Sequence, residues 1–337
     1  MSIEIPSPYL IFLGDEPEHT HAKTGIGIAH WRPERCIGQY RLPGSGVDLG
    51  LAAMTPAEAA AAGARTMIWG VAGVGGLIPD NWKKALFDAV DAGLNVCAGT
   101  HSSLKSVPGL AQAAAGKGVA LIDVRTPPPG LPVGSGARRT GKRLLTVGTD
   151  CVVGKKYTAL SIAKEMQERG WKADFRATGQ TGIMIAGGGI PIDAVVSDFV
   201  SGAAEVLAPA NDADHWDVIE GQGSLFHPGY AAVTLGLLHG AQPDAFVVCH
   251  AAGRTHVEAF PDFPLPDIPT LIDHTITCGK VTSAHIRCAG ISVNTSRLAA
   301  GERDAYLAKL AEENRLPCVD PIATGVAPIV DYLEKNF

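Results

Sequence analysis

With 337 residues the chain exceeds one typical hydrophobic core and predicts about two domains, which its 46% hydrophobic content can bury. Charged residues make up only 18%, too few for a disordered chain or a coiled coil, and the net charge of −6 excludes a dedicated nucleic-acid binder with a basic face. Seven scattered cysteines without a C-x-x-C pair, no basic and apolar leader, and no apolar run near the roughly 20 residues of a membrane span point to a soluble cytoplasmic protein.

Short apolar runs alternate with helical patterns in the first third of the chain. Residues Tyr9–Leu13, Thr66–Val71, Asn95–Ala98 and Val119–Val124 predict buried strands, and Thr55–Gly63 and Pro79–Gly93 predict helices. Such alternation implies a mostly parallel sheet with helices on both faces, here a Rossmann-like α/β domain over residues 1–130. The stretch Gly70-Val-Ala-Gly73-Val-Gly75-Gly76 follows a strand and precedes a helix, so it can bring backbone close to a ligand as a Rossmann turn does. It lacks G-x-G-x-x-G spacing, and a tight structural turn or a domain-interface loop is at least as good a reading. His19-Thr-His21 offers two imidazoles without acidic or cysteine companions, which favours a solvated turn over a metal site. Ala22-Lys-Thr-Gly25 and Gly99-Thr-His101 are polar stretches able to close a cleft.

Thr126–Thr140 is rich in Pro, Gly and Ser and marks the domain junction. The alternation then restarts over a larger domain, residues 131–337. Strands are expected at Arg143–Val147, Ala173–Arg176, Trp216–Ile219, Ala245–Cys249 and Ile291–Asn294. Helices are expected at Lys155–Arg169, Val196–Leu207 and Tyr230–Leu238, and near Thr270–Cys278, Arg303–Asn314 and Val326–Lys335. The fold class is α/β, with the second domain like a P-loop nucleotide-binding domain on a mostly parallel sheet.

The most informative stretch joins the first of these strands to its helix. Gly148, Thr149, Asp150, Cys151, Gly154, Lys155, Lys156 and Thr158 belong to a glycine-bounded turn in which backbone N–H groups and a helix N-terminus make a concave anion site. In G-x-x-x-x-G-K-[ST] loops, four residues separate the glycines and a hydroxyl for magnesium follows the lysine. Here five residues separate the glycines and Lys156 stands at the hydroxyl position, which favours a metal-free polyanion. The Gly-Thr-Asp opening and this spacing resemble dethiobiotin synthetase and related P-loop enzymes.

Polar strand ends surround the same predicted rim. Glu220, Gln222, Ser224 and His227 follow the strand Trp216–Ile219, where a carboxylate or imidazole can accept a proton. Arg176, Thr178, Gln180 and Thr181 follow another strand and suit a polar substrate. Asp193 and Asp198 are further candidate bases, Asp193 equally a helix cap. Arg254 can clamp a substrate carboxylate or form a structural ion pair.

Taken in order, Ile11–Asp15, Ala22–Gly25, Arg35–Gly38, Gly99–His101, Gly148–Thr158, Thr178–Gly182 and Ile219–Gly223 resemble the DgcN-type D-glutamate N-acetyltransferases, and the resemblance spans nearly the whole chain. It implies acetyl transfer from acetyl-CoA to the amino group of D-glutamate or a related acidic amino acid, with no metal requirement. Coenzyme A carries a diphosphate and a 3′-phosphate for the loop and its two lysines. In such a reaction Glu220 is the first candidate base, with Asp193, Asp198 and His227 behind it. Gln180 or backbone amides would stabilise the oxyanion, and Arg254 or Arg176 would hold substrate carboxylates. Cys151 permits a covalent acetyl-cysteine, but direct transfer is preferred. The expected partner is a small acidic amino acid, without nucleic acid or membrane, in a homo-oligomer. An ATP-dependent ligase or kinase and a non-catalytic nucleotide or CoA sensor are the competing readings.

Overall fold

The computed structural model describes residues 3–71, 78–100 and 102–337 and divides into two compact units. The first takes Met1–Pro128 and Gly179–Pro191; the second takes Pro129–Thr178 and Ile192–Phe337. Among the described residues, no helix is long and apolar enough to cross a membrane.

The first unit begins with β1 (Ile3–Glu4), β2 (Tyr9–Gly14), α1 (Lys23–Trp31), β3 (Cys36–Arg41) and α2 (Pro56–Ala61). It continues with β4 (Thr66–Trp69), α3 (Asp80–Asp91), β5 (Asn95–Ala98), α4 (Leu110–Lys117) and β6 (Leu121–Asp123). Five strands form a parallel sheet in the order β3-β2-β4-β5-β6. β2 and β4 are buried along their whole length, as expected of strands covered on both faces. Thr55 and Glu58 close a capping box at the start of α2, a signal readable in the sequence. The Ala22–Gly25 stretch opens α1, where Gly25 N–H donates to the Gly70 carbonyl at 2.8 Å. A Cβ on Gly70 would lie 2.7 Å from Ile11 Cγ2 and 3.0 Å from Gly25 Cα, so this glycine serves close helix–strand packing. Gly73, Gly75, Gly76 and His101 lie outside the described residues. His19–His21 form a short 3-10 turn in which His21 Nδ1 sits 3.0 Å from Glu16.

The chain then runs through β7 (Lys142–Gly148), α5 (Lys155–Glu168) and β8 (Ala173–Arg176). Next, α6 (Gln180–Ala186) and β9 (Gly188–Gly189) return to the first unit, where β9 pairs antiparallel with β1. The second unit resumes with α7 (Val200–Leu207), β10 (Trp216–Ile219), α8 (Ala231–Ala241), β11 (Ala245–Ala251), β12 (His256–Val257) and β13 (Phe260–Pro264). It ends with α9 (Ile268–Gly279), β14 (Arg287–Asn294), α10 (Ala300–Asn314), β15 (Cys318–Val319) and α11 (Ala327–Asn336). The main sheet is parallel throughout, in the order β15-β14-β11-β7-β10-β8. β7 lies between β10 and β11, so the strand order reverses around it and places a switch point at its carboxyl end.

α5 packs on this sheet through Ala159, Ile162, Ala163 and Met166, one stripe at helical spacing. These residues meet Leu144, Val218, Val247 and the α11 side chains Ile329, Val330 and Leu333 in one core. The helix expected at Val196–Leu207 is split into a 3-10 turn at Ser197–Phe199 and α7. The β12–β13 hairpin has no counterpart among the expected elements. Pro261 and Pro264 within it remove ladder donors and read as loop residues.

Candidate functional site

Between β7 and α5 the chain turns through Thr149–Gly154, and the turn is held from several sides. Asp150 is fully buried and accepts hydrogen bonds from Cys151 N–H (2.6 Å), Arg254 Nη1 (3.0 Å) and Glu258 N–H (2.7 Å). Arg254 also donates to the Cys151 carbonyl at 2.8 Å and pairs with the Glu258 carboxylate at 2.7 Å. Thr149 donates its N–H to the Cys249 carbonyl, and its hydroxyl meets His250 Nδ1 at 3.1 Å. Burial and the Arg254 charge hold the His250 imidazole below the ordinary histidine pKa.

So fixed, the loop tolerates unusual backbone. Val152 has φ 54° and Gly154 has φ 104°. A β-branched residue in the left-handed region costs roughly 1–3 kcal/mol and persists only where its surroundings over-determine it. The alternation of hand turns successive N–H groups toward one concavity at the α5 N-terminus. Lys155 folds back into it: its Nζ donates to the Asp150 carbonyl at 2.7 Å, and the residue is 8% exposed. Burial pushes its pKa down, against the pull of Cys151, Cys249, Asp150 and Glu220. Space for its stem comes from Gly221, where a Cβ would lie 1.7 Å from the Thr146 carbonyl oxygen and 3.1 Å from Lys155 Cδ.

The end of β10 supplies the opposite wall. Glu220 is buried, its carboxylate accepting Thr178 N–H at 3.0 Å while its carbonyl accepts the Thr178 hydroxyl at 2.7 Å. Gln222 Nε2 donates to that same hydroxyl at 3.0 Å, and Ser224 Oγ donates to the Thr149 carbonyl at 3.2 Å. His227 is buried beside the loop, and its ring, the Cys151 thiol and the Asp150 carboxylate offer atoms within 4.8 Å of one another. Its Nδ1 accepts the Gly229 N–H at 3.0 Å. A neutral ring in this arrangement carries its proton on Nε2 and is a donor. Tyr230 and Phe260 enclose the imidazole, with ring centroids 4.5 and 5.2 Å away. The carboxylate of this trio is already committed to Arg254 and two amides, so its donor set suits a hydrogen-bonded loop better than a cation. Burial raises the Cys151 pKa, with Lys155 and Arg254 only partly opposing it, so the thiol stays protonated near neutral pH.

The structure thus brings Gly148, Thr149, Asp150, Cys151, Gly154 and Lys155 together with Thr178, Glu220, Gln222, Ser224 and His227. Other expected site residues lie differently. Arg176 turns back to Asp217 (2.6 Å) and Asp174 (3.2 Å) and spends its guanidinium on a structural ion pair. Arg254 spends its own on the loop. The Thr158 hydroxyl is fully buried against Ser292 Oγ at 2.7 Å. Lys156 places its ammonium 4.8 Å from the Tyr157 ring centroid. Asp193 and Asp198 sit exposed on 3-10 turns that lead into α7. His227 is a donor in its neutral form, with no lone pair left to act as a base. Gln180 and Thr181 belong to the first unit, where they meet Arg125 (2.9 Å) and Thr24 (3.3 Å). Asp320 is not among the expected site residues, although a polar residue directly after the apolar Val319 at a strand end is a signal. Its carboxylate accepts bonds from Thr295, Ile322 and Ala323 N–H groups, each at 2.9 Å.

Comparison with known proteins bears on the whole chain. A family model described as "Domain of unknown function (DUF1611_C) P-loop domain" matches residues 132–330, and "Domain of unknown function (DUF1611_N) Rossmann-like domain" matches residues 41–127. The chain is 49% identical over 329 residues to a protein of Tritonibacter scottomollicae named D-glutamate N-acetyltransferase, covering 98% of this chain and 99% of that one. A Pseudoalteromonas protein of the same name is 44% identical over 331 residues, covering 98% and 100%. The crystal structure of a DUF1611 family protein from Anabaena variabilis matches with a TM-score of 0.85 at 32% identity, over 98% of this chain and 100% of that one.

Proposed function

Because this chain belongs to the DUF1611 family and is 49% and 44% identical, over nearly its whole length, to two proteins named D-glutamate N-acetyltransferase, we propose that it transfers an acetyl group from acetyl-CoA to the amino group of D-glutamate. The observation that carries the donor assignment is the make-up of the phosphate loop. A buried lysine stands in a backbone nest, and neither hydroxyl position serves magnesium: Lys156 occupies one, and Thr158 is turned into the core. Such a loop suits the diphosphate of coenzyme A, and acetyl transfer makes no demand on a γ-phosphate.

Within this reading Glu220 takes a proton from the substrate ammonium, so that the amine can attack the acetyl carbonyl. Its anchoring by Thr178 N–H fixes its direction, and its burial keeps bulk water from competing for the proton. His227 Nε2–H and the loop amides act as donors to the oxygen on which charge develops. As the carbon–sulfur bond breaks, the second amine proton passes to the departing sulfur, so coenzyme A leaves as the thiol and the new amide forms, while Glu220 returns its proton to solvent. The protonated state of Cys151 supports direct transfer over an acetyl-cysteine. Gln222 and Thr178 line the acceptor side through their shared hydrogen bond.

The test mixes the protein with acetyl-CoA and either D- or L-glutamate and follows thiol release and N-acetylglutamate formation. Release with D-glutamate well above the L-glutamate rate is expected. Background release with every acidic amino acid would refute the assignment.

A further inference from the structure

Beside the phosphate loop lies a cavity of about 380 Å³ that the transfer chemistry leaves unused. Its size falls within the roughly 300–1,000 Å³ of small-molecule sites. Val153 and Gly154, the last residues of the loop, form part of its wall, so it opens directly beside the phosphate nest. The ends of β14 and β15 and the first turn of α10 complete it. Leu298, Pro321 and Ile322 give it apolar surface suited to the faces of a heterocyclic ring. Asn294 accepts Ser296 N–H on its amide oxygen at 3.0 Å, which leaves the amide NH2 to donate to ring nitrogens.

Its two charged residues differ in kind. Asp320 spends both carboxylate oxygens on Thr295, Ile322 and Ala323 and serves as wall. Arg303 uses only Nε, which donates to Asp304 at 2.8 Å. Among the described residues its terminal Nη groups make no hydrogen bond or ion pair, although the nearby Asp320 charge acts on it, and it is the only cation lining the cavity. An arginine fork of this kind matches a phosphate with two parallel hydrogen bonds. We propose that this cavity is the nucleoside subsite of the acetyl donor and that Arg303 receives the 3′-phosphate of coenzyme A. The inference rests on acetyl-CoA being the donor. It makes the 3′-phosphate, which ATP and 3′-dephospho-CoA both lack, the group that selects the donor.

Titration calorimetry of the full chain with acetyl-CoA and acetyl-3′-dephospho-CoA tests it. The native protein should prefer acetyl-CoA by roughly 10- to 100-fold, the range of a charged hydrogen-bonded contact. Arg303→Gln should erase that preference by weakening acetyl-CoA alone, and Arg303→Lys should retain part of it. Continued binding of the dephospho donor by Arg303→Gln reports that it is folded; if it does not fold, the Arg303→Lys ratio decides. No preference in the native protein, an undiminished preference in the variant, or equal weakening of both donors would overturn the subsite. If the native protein transfers acetyl to D-glutamate and the preference survives Arg303→Gln, only the subsite fails. If it binds neither donor, the donor assignment and the subsite fall together.

Discussion

Lys155 carries an ammonium into a place where its direct partner is a carbonyl oxygen rather than a carboxylate. Burial therefore holds its pKa below the ordinary lysine value, and a bound diphosphate would raise it again. Because the bound form has the higher pKa, ligand binding takes up a proton in the window between the two values. Affinity for acetyl-CoA should thus be greatest below the pKa of the unliganded protein and fall as pH rises through that window. Calorimetry in buffers of different ionisation enthalpy measures this uptake. Lys155→Met should weaken binding by roughly 100-fold, the upper range of a charged hydrogen bond, and flatten the pH dependence. An affinity left unchanged by Lys155→Met would show that the phosphates bind elsewhere. Glu220→Gln separates binding from chemistry at the other wall. It keeps the acceptor oxygen for Thr178 N–H but removes the base, so acetyl-CoA affinity should hold while turnover drops by roughly 100-fold or more. Turnover equal to the native rate would remove Glu220 from that role.

At the scale of the element, the loop depends on residues far away in sequence. Arg254 follows β11, yet it fixes Asp150 and Cys151 and is only 13% exposed in its side chain. Arg254→Ala would strand a fully buried carboxylate with only amide partners. Removal of one partner from a buried pair costs about 3 kcal/mol or more, so the urea midpoint should drop accordingly. Arg254→Lys should recover only part, because one ammonium cannot span Asp150, the Cys151 carbonyl and Glu258 together. A loss under about 1 kcal/mol in the alanine variant would mean that the pair does not hold the loop. This contact also marks where sequence legibility stopped. The phosphate loop was legible because strand, glycine-bounded turn, lysine and helix are contiguous. The β10 strand end was legible because Glu220, Gln222, Ser224 and His227 follow one apolar run. Arg254 and Arg176 were not, since an arginine that binds substrate and one that binds an aspartate of the same chain look alike until the fold chooses the partner. α1 and α4 carry no clear sequence signal for a local reason: glycines and alanines interrupt the apolar spacing that marks other helices.

At the scale of the whole molecule, Gly179–Pro191 joins the first unit through α6 packed on α1 and the β1–β9 pairing of two residues per strand, long-range contacts that leave no local pattern to read. The phosphate loop, Glu220 and the Arg303 cavity belong to the second unit, so donor binding is energetically an event of that unit first. A ligand that binds only the folded form stabilises it by RT ln(1 + [L]/Kd), about 2.7 kcal/mol at a concentration 100-fold above Kd. Amide exchange in the second unit's core, at Leu144, Val218 and Val247, proceeds through its global opening if these are its most protected positions. Acetyl-CoA at that concentration should slow all three by the same factor of about 100. The first unit's buried strands, at Ile11 and Ile68, provide the comparison. Equal slowing there would mean that the two units unfold as one, and unchanged rates would mean that they open separately. Where these positions exchange through that global opening, unchanged rates at Leu144, Val218 and Val247 would contradict donor binding at the phosphate loop, since a ligand held only by the folded unit must lower the population of its open form.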